Sequence, residues 1–226
     1  MANTKNPKSN PNVEQPVNIS ESFVLKYKKA IIGTIVAIVL IIAGIIVYNT
    51  YYKAPRETKA STAIAKGQDY FNADQFDKAL NGDGAGYEGF LKVAEAYSGT
   101  DAANLANLYA GLCYANQEKW NEAITYIEKY DGADDQLISP AAEGALGNAY
   151  AHINQLDKAV EHLKKAAKMA DNNTLSPTFL IQAGEILESQ NKKDEALKLY
   201  QEIKDKYFQS MQYQSIDKYI ERATTK

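Results

Sequence analysis

The chain has 226 residues, with 25 Lys or Arg, 28 Asp or Glu and two His, and its formal net charge of −3 conceals two opposite ends. Up to Lys53 there are six Lys against two acids, whereas from Ala54 onward 19 basic and 26 acidic residues leave a net of −7. So acidic a body argues against nucleic acid, which needs a phosphate-neutralising surface, and the single cysteine, Cys113, excludes an internal disulfide or a multi-thiolate metal site.

Residues 1–18 are rich in Asn, Pro and Lys with almost nothing to bury, so 1–29 reads as a disordered basic tail and helix lead-in. Ala30–Tyr48, AIIGTIVAIVLIIAGIIVY, then runs for nineteen residues without a charge. As a helix it is roughly 28 Å long, close to the ~30 Å hydrocarbon thickness of a bilayer, and it lacks the polar side of a core helix. The segment therefore predicts one transmembrane helix over 30–48. Lys26, Lys28 and Lys29 before it place the N-terminus in the cytoplasm and carry the acidic body across the membrane. A cleaved signal peptide fits less well, because the apolar run is long and Asn49-Thr50-Tyr51-Tyr52-Lys53 offers no small-x-small site. Tyr48, Tyr51 and Tyr52 fall where an interfacial aromatic belt would sit. Pro55 and its polar neighbours predict a linker over 49–60, short enough to hold the body near the membrane.

From residue 61 onward the pattern is helical and recurrent. Gly67, Gly111, Gly147 and Gly184 are each followed twelve residues later by alanine: Ala79, Ala123, Ala159 and Ala196. Tyr70, Tyr114 and Tyr150 lie three after the first three glycines, with Leu187 in the fourth place. Phe76, Trp120 and Leu156 lie three before the alanines, with Lys193 in the fourth. Two antiparallel helices approach closely only where small residues meet, and a glycine costs ~1 kcal/mol of helix propensity, so its return four times points to a packing need. Thr100, Ser139-Pro140 and Ser176-Pro177 are placed to start helices, each serine at the N-cap and each proline in the first helical position. Asn116-Gln117, Asn154-Gln155 and Asn191-Lys192 mark the turns inside the pairs. The expected fold is all-α: helix pairs over about 61–97, 100–131, 139–170 and 176–207, with a capping helix over 211–223 closing a 61–226 repeat domain. Asn81-Gly-Asp-Gly-Ala-Gly86 interrupts the second helix of the first pair, which resumes from Tyr87.

This pattern resembles the tetratricopeptide repeat, W-x2-L-G-x2-Y followed by A, and implies an α-solenoid. The first tryptophan and closing proline are missing, and the glycine spacings of 44, 36 and 37 exceed the family's period. Carrying over the family's groove-facing positions gives Gln68, Phe71, Leu112, Asn116, Asn148, His152, Glu185 and Ser189. Each either faces a bound peptide or packs within the array. None is Lys or Arg, which speaks against the clamp that some such repeats use for C-terminal carboxylates and favours an extended or helical peptide.

No catalytic constellation is apparent. His152 and His162 lack metal-ligand spacing, the Asn81–Gly86 loop lacks the P-loop Lys-Ser/Thr, and Lys92 stands where a calcium loop would end in glutamate. No metal and no cofactor are expected. Span and body together resemble the YfgM-like family of ancillary Sec translocon subunits. That resemblance implies a single-pass, non-enzymatic scaffold of the bacterial inner membrane, its periplasmic body engaging the Sec translocon, translocating chains or periplasmic chaperones. A scaffold or regulatory subunit of a cell-envelope enzyme complex, and an organelle import receptor, remain the alternatives.

Overall fold

The computed structural model describes residues 19–225, with side chains from Lys26 onward; the expected tail over 1–18 lies outside it. The protein is all-helical, with no strand among the described residues. It divides between Tyr52 and Lys53 into two compact units.

The first unit is one helix, α1 (Ile19–Tyr48), continued by a π-helical turn over Asn49–Lys53. In its most apolar 18-residue window not one residue is buried. Thr34, the polar residue within it, donates its hydroxyl to the Ala30 carbonyl at 3.0 Å, so the helix leaves no side-chain donor unpaired there. The rings of Tyr48 and Tyr52 stack with centroids 5.2 Å apart.

The second unit contains the repeats. Its first helix, α2 (Ala54–Asn72), begins well before residue 61. The stretch expected as a linker over 49–60 is therefore helical: Pro55 sits in the first turn of α2, where its missing N–H and fixed φ cost nothing. The following helices are α3 (Phe76–Asn81), α4 (Phe90–Ala96), α5 (Asp101–Asn116), α6 (Trp120–Ile127), α7 (Ile138–His152), α8 (Leu156–Ala170), α9 (Ser176–Ser189) and α10 (Lys193–Lys206). A 3-10 turn over Gln212–Ser215 leads into α11 (Ile216–Thr224). Helices pack on their sequence neighbours, giving four antiparallel pairs and a final cap.

All four recurrent alanines are fully buried. A methyl on Gly111 would lie 2.9 Å from the Ile127 nitrogen and 3.0 Å from the Ala123 carbonyl oxygen, and one on Gly147 would lie 3.1 Å from the Ala159 oxygen. In those two pairs the glycine lets one backbone rest on the other. At Gly184 the space is instead filled by the Tyr200 ring, and at Gly67 by Tyr87 and Phe90. The residue four beyond the alanine supplies the filler in three pairs, Ile127, Leu163 and Tyr200. In the first pair that position is Asp83, which turns the chain out of the helix, and the loop returns Tyr87 and Phe90 to the vacated place. The second helix of this pair is broken between Asn81 and Phe90, and it resumes at Phe90 rather than Tyr87.

A further regularity lies seven residues beyond each glycine. Asp74, Glu118, Asn154 and Asn191 all hold φ between 55° and 60°. Each puts a left-handed residue into the turn between paired helices, a conformation that Asn and Asp tolerate best.

Thr100 caps α5 as expected, accepting the Ala103 N–H at 3.0 Å. The two Ser-Pro sites differ from expectation. Ser139 and Ser176 are buried inside the first turns, and the side-chain acceptors at these helix entries come from further upstream. The Asp135 carboxylate accepts from the Leu137 and Ile138 N–H groups at 2.8 and 2.5 Å, and the Asn172 side-chain carbonyl accepts from Thr174 and Leu175, both at 2.9 Å. The serines instead staple each helix start to the preceding segment, donating to the Ala133 and Ala167 carbonyls at 2.9 and 2.8 Å.

The core is a row of three clusters rather than one centre. Leu105 and Tyr114 bridge the first and second, and Ile186 bridges the second and third. Each pair buries its apolar face against its neighbours, as in a quasi-one-dimensional array. α11 closes the last, burying Ile216 and Ala223. Burial of a side chain the size of Ile216 is worth ~1.5–3 kcal/mol.

Candidate protein-binding surface

The first helices of the four pairs, α2, α5, α7 and α9, carry the eight positions expected to face a ligand. Gln68 and Phe71 on α2 are both half-buried against Tyr109 of α5. The Gln68 amide donates to the Tyr109 hydroxyl at 2.8 Å, and the Phe71 ring meets Tyr109 edge-on at 5.4 Å. Leu112 packs against the middle core cluster. Asn116 is exposed, with its amide turned back onto the Leu112 carbonyl at 2.9 Å. Ser189 likewise donates to the Ile186 carbonyl of its own helix at 2.6 Å.

His152 is exposed but stacked flat on Trp120, the centroids 3.8 Å apart and the planes 1° from parallel. The stack ties the end of α7 to the start of α6. Glu185 is exposed and pairs with Arg222 of the cap at 3.6 Å. Arg222 makes its main contacts with Glu188, one of them at 3.2 Å, and these hold its guanidinium pKa above the ordinary value. Asn148 is half-buried and makes no side-chain hydrogen bond among the described residues, so its amide keeps its full capacity for a ligand. None of the eight lines any of the five surface clefts described, which lie along other helix faces.

Residues that the periodic pattern does not single out matter here as well. Tyr109 organises the α2–α5 contact, but its counterparts two residues before the other glycines are Ala65, Ala145 and Gln182, so no repeat signal marks it. The side-chain oxygens of Gln182 and Gln190 are buried without a hydrogen-bond partner among the described residues. Such groups cost ~1–3 kcal/mol unless something satisfies them, and Gln182 lies on the same helix as Glu185 and Ser189. No signal in the sequence separates it from an ordinary surface glutamine.

The Asn81–Gly86 loop is a closed structure. Asp83 accepts from the Ala85 and Tyr87 N–H groups at 2.8 and 2.9 Å, from the Tyr70 hydroxyl at 2.8 Å, and from the Lys66 ammonium at 2.8 Å. Lys66 first, then the two N–H groups and Tyr70, hold its carboxyl well below the usual carboxylate range. All its acceptor sites are thereby committed within the protein. Tyr87 donates to the Ala79 carbonyl at 2.7 Å and stacks on Tyr70 at 5.7 Å, so the loop serves the packing of the first pair. Among the described residues no group of three or more His, Cys, Asp or Glu is placed to hold a metal ion. Cys113 is buried, and burial pushes its thiol up to about 12.

A family model described as T7SS, ESX-1 secretion system protein EccA1, N-terminal domain, matches residues 56–215. The chain belongs to this family. The match takes in every helix pair and leaves α1 outside it. No curated protein matches. Among solved structures, the nearly identical TPR-like repeats of a Podosopora anserina protein described as a putative kinesin light chain superpose with a TM-score of 0.57 at 13% identity, covering 74% of this chain and 86% of that one. A variant of the same repeats gives 0.56 at 13% identity, over 74% and 85%. MamA gives 0.51 at 19% identity, over 70% of this chain and 91% of that one. Likeness at these identities establishes a TPR-like solenoid.

Proposed function

We propose that the protein is a membrane-anchored, non-enzymatic scaffold whose repeat domain binds protein partners during secretion across the bacterial inner membrane. The observation that carries the reading is the joining of two features in one chain: an apolar helix with no buried residue in its spanning window, and a TPR-like array belonging to a secretion-system family. The lysines before the span favour a cytoplasmic N-terminus and a periplasmic body. Anchoring the array through the 5 residues Asn49–Lys53 raises its effective concentration at a membrane exit site.

Translocating chains, the Sec translocon and periplasmic chaperones are the partner class this placement suits. On the binding face, the half-buried Asn148 amide has hydrogen-bonding capacity to offer a peptide backbone, while Phe71 and Leu112 supply apolar contact. Site-specific photocrosslinking in living cells from positions 71, 116, 148 and 182 tests this. Capture of translocon, secretory or envelope-chaperone chains is expected, and consistent recovery of no such protein would overturn it. Protease added outside spheroplasts should cleave the repeat domain; full protection would reverse the orientation.

A further inference from the structure

In the described part of the second unit, five large apolar side chains stand exposed: Leu137 at 64%, Ile138 at 48%, Phe208 at 61%, Met211 at 86% and Tyr213 at 38%. Four of the five belong to two connections that follow the second helix of a pair, one leading into the next pair and one into the cap, and Ile138 opens the helix that the first of them enters. None lies at the turns inside the pairs.

Those connections form one continuous edge, traced by hydrogen bonds. Lys53, the first residue of the unit, pairs with Asp101 at 3.4 Å, and Glu57 accepts the Asp101 N–H at 2.7 Å. Asn104 exchanges two hydrogen bonds with the Asp131 backbone, at 2.7 and 2.8 Å. The Asn172 amide donates to the Gln136 carbonyl at 3.2 Å, and the Tyr207 hydroxyl to Asp171 at 3.3 Å. The edge thus runs from residue 53 through 101, 131–138 and 171–175 to 207–215. The opposite edge carries the left-handed turns at Asp74, Glu118, Asn154 and Asn191 and polar links such as Lys192–Asp157.

The geometry points to this edge as a membrane-contacting surface, with the apolar side chains of 137–138 and 208–213 seated in the interface of a zwitterionic bilayer. Chain connectivity selects the occupant. Lys53 lies on this edge and is bonded directly to Tyr52, the last of the three tyrosines that mark the end of the apolar span. The edge through which the chain leaves the span is therefore the one that carries the exposed apolar residues, whereas a surface built for a soluble partner has no reason to coincide with it. Trp, Tyr and long apolar side chains are suited to that depth. Exposed Asp131 and Asp134 stand on this edge beside exposed Lys129 and Lys206, so its charge is mixed and the apolar side chains, not a basic cluster, carry the contact. The inference rests on the proposal that α1 crosses the bilayer.

The test uses the full chain in phosphatidylcholine nanodiscs, one chain per disc, carrying an environment-sensitive fluorophore on single cysteines. The sites are Leu137→Cys and Met211→Cys on the edge, Gln155→Cys opposite, and Ile38→Cys in the span; Cys113 is buried and stays unlabelled. Lipids with nitroxides near the headgroup should quench positions 137 and 211 about two-fold or more and leave 155 unchanged, and deep nitroxides should quench 38. Quenching at 38 with 137 and 211 as insensitive as 155 overturns the membrane edge and leaves the anchor standing. No quenching at 38 removes the anchor, and the edge with it. Quenching at 137 and 211 that appears only with two or more chains per disc assigns the edge to a second copy and likewise overturns the inference. Should a cysteine variant misfold, hydrogen exchange of the unaltered chain gives the same reading: amides of 131–138 and 207–215, but not of 152–156, should exchange more slowly in discs than in a lipid-free amphipathic polymer, and equal rates refute it.

Discussion

Replacing Gly111 by alanine sets two opposing effects against each other. The methyl removes the helix-propensity cost of glycine, a gain of ~1 kcal/mol. It also arrives 2.5 Å from the Ile127 side chain, 2.9 Å from the Ile127 nitrogen and 3.0 Å from the Ala123 oxygen. A side chain can rotate away, but two of those atoms belong to the α6 backbone, so the α5–α6 pair must separate. Overpacking of this kind costs ~1–3 kcal/mol, occasionally more, and rigid neighbours place it toward the upper end. The net expectation is a loss of about 2 kcal/mol; with a urea m-value of about 2 kcal/mol per M, the unfolding midpoint falls by about 1 M. Trp120, the single tryptophan, opens α6 and reports locally through its fluorescence. Gly33→Ala is the control, since its methyl meets no atom within 4 Å, and it should leave the Trp120 transition in place. A Gly111→Ala protein as stable as the parent or more so would refute close backbone approach as the reason for the recurrent glycine.

Asp83 predicts an acid-labile first pair. Its carboxyl pKa is depressed in the folded chain, so its contribution is complete above the ordinary value of 3.8 and is lost as pH falls below it. Exchange of the Tyr87 amide should accelerate in that window, and in Asp83→Asn should already be fast at neutral pH. Ile216→Ala should cost ~2–4 kcal/mol in repeat-four stability, because Ile216 is 1% exposed and seals the last core cluster; hydrogen exchange of α9 and α10 checks it, and loss confined to α11 would contradict capping. A double-mutant cycle on Trp120 and His152 should return a coupling of about 0.5–1 kcal/mol from their stacking. The Cys113 thiol, pushed up to about 12, should ignore a disulfide reagent at pH 8 in the native chain and react at once in urea.

Four Gly–Ala pairs at one offset, with a ring beside most of them, mark paired helices in the sequence, although the glycine meets a facing backbone only at Gly111 and Gly147 and makes room for rings at Gly67 and Gly184. The apolar run needed no partner to be recognised, since its length and lack of charge are local properties. Other features depend on contacts between residues far apart in the chain. Asp135, not Ser139, satisfies the first N–H groups of α7, and Asn172 closes the turn that leads into α9, because burial drew each serine onto a carbonyl of the preceding segment. The Asn81–Gly86 loop looks like an isolated glycine-rich break, and its purpose appears only when Tyr87 and Phe90 fill the space beside Gly67. Placement on the first helix of each pair followed from the repeat pattern, but availability to a ligand did not: Tyr109 engages Gln68 and Phe71, Trp120 covers one face of His152, and Arg222 pairs with Glu185. Periodicity fixes which helix side a residue occupies, whereas the neighbours that occupy or free its hydrogen-bonding groups come from distant positions and are set by packing alone.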